Sequence, residues 1–160
     1  MNTWAKQLTI IIGNTTTNFI SVLTGKKMNE ISSEAVTEGI RVVATPTYQP
    51  DHSSPNQNRY LFSYHIRIMN ESNVAVTLLN RCWYIINAEG DENEVHGSGV
   101  VGETPTLEPG NDYEYDSFSI LDTPFGTMEG YYLFERQDGD TVKAKIARFY
   151  LATNADMSFH

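Results

Sequence analysis

Tyr60-Leu61-Phe62-Ser63-Tyr64-His65-Ile66-Arg67-Ile68 decides the fold of this chain. Tyr60, Phe62, Tyr64, Ile66 and Ile68 recur at every second position, with Ser63, His65 and Arg67 between them. Successive side chains of a strand point to opposite faces, so the pattern predicts a strand with one face in a core and one in water. His65 falls on the outward face. Upstream, Gly39 to Ala44 reads as a short alternating strand ending near Pro46, followed by a polar loop from Gln49 to Asn58. Downstream, Asn70-Glu71-Ser72-Asn73 turns the chain into a strand from Val74 to Leu79, with a continuation through Arg81 to Asn87. Ala88-Glu89-Gly90-Asp91 is a further turn, leading into Glu94-Val95-His96. Strands are also expected at Tyr113–Ser119, Met128–Arg136 and Thr141–Leu151, the last two joined by the hairpin signature Gln137-Asp138-Gly139-Asp140. No amphipathic helix pattern interrupts them. The expected fold is all-β, an antiparallel β-sandwich of seven or eight strands in a single domain.

Composition narrows the class. A chain of 160 residues, 40% of them hydrophobic, can bury a core without disulfides or metal staples. No apolar run approaches the roughly 18 residues of a membrane-spanning helix; the longest, Leu8 to Ile12, is far shorter. Residues 1–27 carry Lys6, Lys26, Lys27 and no acid, leaving 20 acids against eight Lys/Arg in the remainder, a net charge of −12. Such a surface repels phosphate backbones, so no nucleic-acid partner is expected. Cys82 is the one cysteine. It can form neither an internal disulfide nor a CxxC zinc site, which suits a reducing, cytoplasmic setting. Its place in the apolar run Arg81 to Ile86 marks it as a small buried hydrophobe. Residues 1–33 are rich in Asn, Thr and Ser and show no sustained period. They read as a poorly ordered extension, with at most a helical turn or two around Leu8–Ile12 and Phe19–Leu23. The alternatives are an organelle-targeting peptide over residues 1–27, or upstream sequence before an internal start at Met28. The domain proper is expected over residues 34–160.

His96-Gly97-Ser98-Gly99-Val100-Val101-Gly102-Glu103 places Gly97, Gly99 and Gly102 at the G-x-G-x-x-G spacing of dinucleotide-binding proteins. That spacing works only where the glycines open a helix, whose first amides hold the pyrophosphate. Here Pro105, Pro109 and Gly110 follow too closely for an uninterrupted helix. The glycines are therefore expected to join strands, at positions of positive φ or close backbone approach. A helix-free nest of amides that binds an anion is the functional alternative.

Four blocks of sequence are familiar together: Arg59 to Ile68, Val76 to Ile85, Glu94 to Glu103, and Leu121 to Gly130. In this order and spacing they closely resemble the ApaG family, over about residues 36–152. The resemblance implies an immunoglobulin-like or fibronectin-type-III-like sandwich. It also implies an association with Co²⁺ and Mg²⁺ homeostasis in bacteria, where the family is described as a Co²⁺/Mg²⁺ efflux protein. Eukaryotic relatives carry the same domain in F-box proteins and in a polymerase-interacting protein, where it resembles a protein-binding module.

The residues offer little catalytic or metal chemistry. His52, His65, His96 and His160 share no ligand spacing, and Glu89, Asp91, Glu92 and Glu94 read as a solvated turn. No G-x-S-x-G elbow is present. The expectation is a non-enzymatic protein with no catalytic residue, no metal ligand and no cofactor. It would act indirectly in Co²⁺/Mg²⁺ homeostasis by binding an unidentified protein partner. The alternatives are an interaction module without a metal role, or a pyrophosphate- or anion-binding domain. The candidate surface is the loop of His96, Gly97, Ser98, Gly99, Gly102 and Glu103, supported by the turn of Thr123, Pro124 and Gly126. The aromatic stock, including Trp83, Tyr84, Tyr113, Tyr115, Phe118, Tyr131, Tyr132 and Phe134, exceeds what one period-two face requires, so about a third of it is available to line a groove between the sheets. An exposed edge strand would permit a homodimer.

Overall fold

The structure, a computed structural model, describes residues 32–153. The helical turns expected at Leu8–Ile12 and Phe19–Leu23 lie outside the described residues, as does the rest of the expected extension up to residue 31. The strands are β1 (Ser33–Thr37), β2 (Ile40–Tyr48), β3 (Tyr60–Asn70), β4 (Val76–Asn87), β5 (Glu92–Ser98), β6 (Thr106–Leu107), β7 (Asp112–Leu121), β8 (Phe125–Arg136) and β9 (Thr141–Ala152). Eight have five residues or more, within the expected seven to eight, and β6 is a two-residue addition. One sheet runs β1-β2-β3-β7 and the other β5-β4-β8-β9, with β6 also paired to β4. Every pairing is antiparallel.

The alternation that predicts β3 also builds the core. Phe62, Tyr64, Ile66 and Ile68 are buried, while His65 and Arg67 point outward to Asp116 and Asp112 on β7. From the other sheet come Leu78, Trp83, Ile85, Met128, Tyr132, Phe134 and Phe149. Trp83 stands against Tyr64 at 5.3 Å and meets Phe149 and Tyr132 edge-on at 6.0 and 6.1 Å. Each fully buried side chain of this size contributes about 1.5–3 kcal/mol. One side of the sandwich is stitched by β1, where Ser33 Oγ donates to the Ala147 carbonyl at 2.8 Å and Lys145 N–H donates to Thr37 Oγ1 at 3.0 Å.

Two asparagines fix the ends. Buried Asn70 donates to the carbonyls of Val74 and Leu107 (2.8 and 2.9 Å) and accepts from the amide and hydroxyl of Ser72. At the opposite end, Asn87 Oδ1 accepts the amides of Glu89 and Asp91, and Nδ2 donates to Asp91 and Asp122. A side chain that satisfies the turn's own backbone in this way locks the turn. The Asn87 turn thereby sets the register of the β4–β5 hairpin, and that register places Cys82 opposite His96 and Tyr84 opposite Glu94.

Candidate functional site

Cys82, Tyr84, Glu94 and His96 share the solvent face of this hairpin, because residues directly paired across strands lie on the same face. Cys82 is nonetheless 1% exposed, covered by its neighbours. Its Sγ lies 3.8 Å from His96 Nε2, and Glu94 Oε1 bonds that same nitrogen. The Tyr84 hydroxyl hydrogen-bonds the thiol, which pushes the phenol up to about 12. Electrostatic interaction with Cys82 is also the leading cause that raises Tyr131, its partner on β8. Beside them opens a groove of about 370 Å³, lined among others by Asn80, Cys82, His96, Tyr131, Leu133 and Lys143. Lys143 Nζ rests 4.8 Å from the centre of the Tyr131 ring.

The sequence reading placed Cys82 as a small buried hydrophobe and no histidine in a ligand set. Cys82 is buried as expected, and although no two histidines share a ligand spacing, hairpin register makes thiol, imidazole and carboxylate neighbours. The observed register pairs residue numbers that sum to 178, Cys82 with His96 among them, whereas a bend centred on Ala88–Asp91 gives sums of 179 and would set His96 opposite Trp83.

The glycine run has a structural explanation at each position. Gly97 lies within β5 opposite Arg81, and a Cβ there would fall 2.5 Å from the Arg81 guanidinium carbon. That guanidinium donates to the carbonyls of Ser98 (3.0 Å) and Gly99 (2.8 Å). Gly99 has φ +61°, and a Cβ would lie 2.2 Å from the Glu103 carbonyl oxygen. Val101 and Gly102 both have positive φ, 45° and 79°, and Val100 and Glu103 exchange two backbone hydrogen bonds of 2.8 Å across them. Two consecutive positive-φ residues inside a bonded pair form a primed two-residue hairpin. Strand β6 follows, so the helix that a dinucleotide site requires is missing here among the described residues. The hairpin is anchored by Tyr113, whose hydroxyl donates to Glu103 Oε2 at 3.0 Å. Burial first, and then that carboxylate, push the Tyr113 phenol up to about 12.

The structure does not bring the supporting turn to this hairpin. Gly99 N–H bonds Leu79 O at one end of β4, whereas Thr123 Oγ1 accepts the Ala88 amide beyond the other. At 3.3 Å per residue the two are separated by about 30 Å of strand. Thr123, Pro124 and Gly126 instead link the sheets. Thr123 Oγ1 donates to the Phe125 carbonyl at 2.7 Å, Pro124 O accepts from Thr153, and Gly126 sits against Ile86 O. His96, Gly97 and Ser98 belong to β5 rather than to a loop, since their backbones pair with Cys82, Arg81 and Asn80. The groove also differs from the expected one. The space between the sheets is filled, and Tyr131 lines the outer face of the second sheet instead.

The fold and these sequence blocks can be set against known proteins. Residues 50–136 match the ApaG domain family, and proteins called ApaG are 49% identical over 113 residues in Shewanella loihica and 46% over 126 residues in Anaeromyxobacter dehalogenans. The chain belongs to the ApaG domain family. These alignments take in 71% and 79% of this chain and 90% and 99% of the relatives. Among solved structures, a Bordetella pertussis protein named as ApaA superposes with a TM-score of 0.70 at 40% identity, covering 72% of this chain and 94% of that one. A second structure, structural-genomics target SoR45, gives 0.73 at 40% identity, over 79% and 95%. The ApaG match contains the β4–β5 hairpin and the glycine hairpin whole.

Proposed function

We propose that this ApaG-family chain is a non-enzymatic, cytoplasmic binding protein that serves Co²⁺ and Mg²⁺ homeostasis indirectly, by presenting its glycine hairpin to a protein partner. No described helix is long and apolar enough to cross a membrane, and the role proposed is that of an accessory to transport.

Val101 carries the reading. A β-branched residue at φ 45° is a genuine outlier, costing on the order of 1–3 kcal/mol, and such strain persists where the surrounding structure over-determines it, as in ligand clamps. Here the reciprocal Val100–Glu103 bonds, the Arg81 guanidinium and the Tyr113–Glu103 bond all hold the tip. A rigid tip loses little entropy on docking. The anion-binding alternative is weaker, because Arg81 is engaged by two carbonyls and Glu103 sets a negative charge beside the glycines.

Gene deletion tests the proposal. Deletion should change the Co²⁺ dose–response and cellular Mg²⁺ content, with restoration by the wild-type chain but not by folded Val101→Asn. Unchanged Co²⁺ tolerance on deletion overturns the homeostasis role. Saturable ADP binding by the purified chain, lost in Gly99→Val, would move the function to an anion.

A further inference from the structure

Cys82 Sγ, one Glu94 carboxylate oxygen and one His96 ring nitrogen lie within 4.8 Å of one another. From this convergence we infer that the three form a binding site for a divalent transition cation of the zinc class. The inference concerns the purified chain alone and does not rest on the partner reading above.

The geometry separates an ion site from a catalytic relay. In a thiol–imidazole–carboxylate relay the carboxylate holds one ring nitrogen and the thiol faces the other. Here thiol and carboxylate both approach Nε2, so the donors surround a point instead of lining a proton path. Metal–sulfur and metal–nitrogen bonds of about 2.3 and 2.0–2.1 Å at a tetrahedral angle put S and N about 3.6 Å apart. The observed separation is 3.8 Å.

The donor set selects the ion. Thiolate, imidazole and carboxylate together suit Zn²⁺ and Co²⁺, whereas Mg²⁺ takes oxygen ligands. The scaffold is rigid as well: all three side chains stand on two hydrogen-bonded strands whose register the Asn87 turn locks. Cys82 forms a buried floor, while the His96 and Glu94 side chains are 60% and 49% exposed, giving the ion a path from solvent. Binding sends the thiol proton to water and shifts the imidazole proton from Nε2 to Nδ1, so that two metal–ligand bonds replace the Nε2–Oε1 hydrogen bond. Three protein ligands leave a fourth position for water, as in open zinc sites. That position adjoins the groove with Asn80 and Lys143, where an anionic ligand can take the place of the water.

Co²⁺ serves as the spectroscopic probe for the reduced, full-length chain. A single equivalent should give a thiolate-to-Co²⁺ charge-transfer band with the visible bands of a four-coordinate ion. Zn²⁺ should displace it, and excess Mg²⁺ should not. Loss of an outer-shell partner alone weakens metal sites about 10–100-fold, so the ligand variants His96→Gln and Glu94→Gln should each weaken binding at least that far. Both residues are exposed, so these variants keep the fold. Cys82→Ser should abolish the charge-transfer band; if it unfolds by circular dichroism, the two surface variants carry the test. Absence of the band in the folded wild type overturns the site. So does a band of undiminished affinity in both surface variants, or displacement by Mg²⁺.

Discussion

The hydroxyl groups of Tyr115 and Tyr132 hydrogen-bond to each other inside the sandwich, one reaching from β7 and the other from β8. Both side chains are buried, and their rings meet edge-on at 6.5 Å. The pair joins the two sheets through a polar contact in an apolar core. Removing one hydroxyl strands the other, and an unsatisfied buried group costs about 1–3 kcal/mol. Tyr132→Phe and Tyr115→Phe should each destabilise by that amount in urea unfolding. The double variant should cost less than their sum, because it leaves neither hydroxyl unpaired. Strict additivity would show that the hydroxyls do not depend on each other.

The same pair sets the alkaline limit. Burial, the leading cause for both, holds the two phenols well above the ordinary value of 10. The folded state therefore keeps protons that the unfolded chain releases above about pH 10. By linkage this contribution is complete below the unfolded pKa and is lost as pH rises toward the folded values. Melting temperature should be flat in this respect up to about pH 10 and fall beyond it. In the double Phe variant the fall should be shallower. An equally steep decline there would assign it to other groups.

Most of the fold was legible because period-two patterning reports directly on which face is buried: Phe62, Tyr64, Ile66 and Ile68 could be placed inside from spacing alone. The candidate site was harder to read. Cys82 looks apolar beside Trp83 and Ile85, yet it sits on the other face, buried by Tyr84, Tyr131 and His96 rather than by the core. Single-sequence spacing finds ligands along one element, and this cluster is assembled across two. The Thr123–Gly126 turn was misplaced for a related reason. Its position depends on β7 and β8 lying in different sheets, a long-range fact that no local pattern encodes.

Gly130 and Gly90 should respond unequally to alanine. A Cβ at Gly130 would lie 2.0 Å from the Cys82 carbonyl oxygen, an atom held in the β4–β8 ladder beside a register shift in β8–β9. Backbone cannot yield as a side-chain tip does, so Gly130→Ala should cost about 3 kcal/mol, the upper range for overpacking. At Gly90 there is open space and φ +88°. Gly90→Ala thus meets only backbone strain, about 1 kcal/mol. Denaturant midpoints that rank the two equally would contradict the close approach of β4 and β8.

Val101→Asn isolates the strain in the glycine hairpin. Asn-Gly is the preferred pair for a turn with two positive φ values, and positions 101 and 102 have φ 45° and 79°. Replacing a β-branched residue there should raise stability by about 1 kcal/mol, even though Val101 packs partly against the core. A measured loss of stability would mean that this packing outweighs the strain.

His65 gives a titration that can be followed at one residue. Its Nδ1 lies 2.8 Å from Asp116 Oδ1, and its Nε2 lies 3.5 Å from Glu114 Oε1. The Asp116 hydrogen bond, with Glu114 adding to it and burial opposing, raises the imidazole above its ordinary 6.5. The sign follows from the charged form being favoured in the folded state: the stabilisation is complete below about pH 6.5 and is lost as pH rises through the folded value. His65 and Asp116 are 43% and 74% exposed, so solvent screening keeps the pair below about 1 kcal/mol. Asp116→Asn should lower the His65 pKa toward 6.5 in an NMR titration and leave the melting temperature nearly unchanged. An unshifted His65 in that variant would remove Asp116 as the cause and leave Glu114, which also lies 3.5 Å from Arg67, as the group to test next.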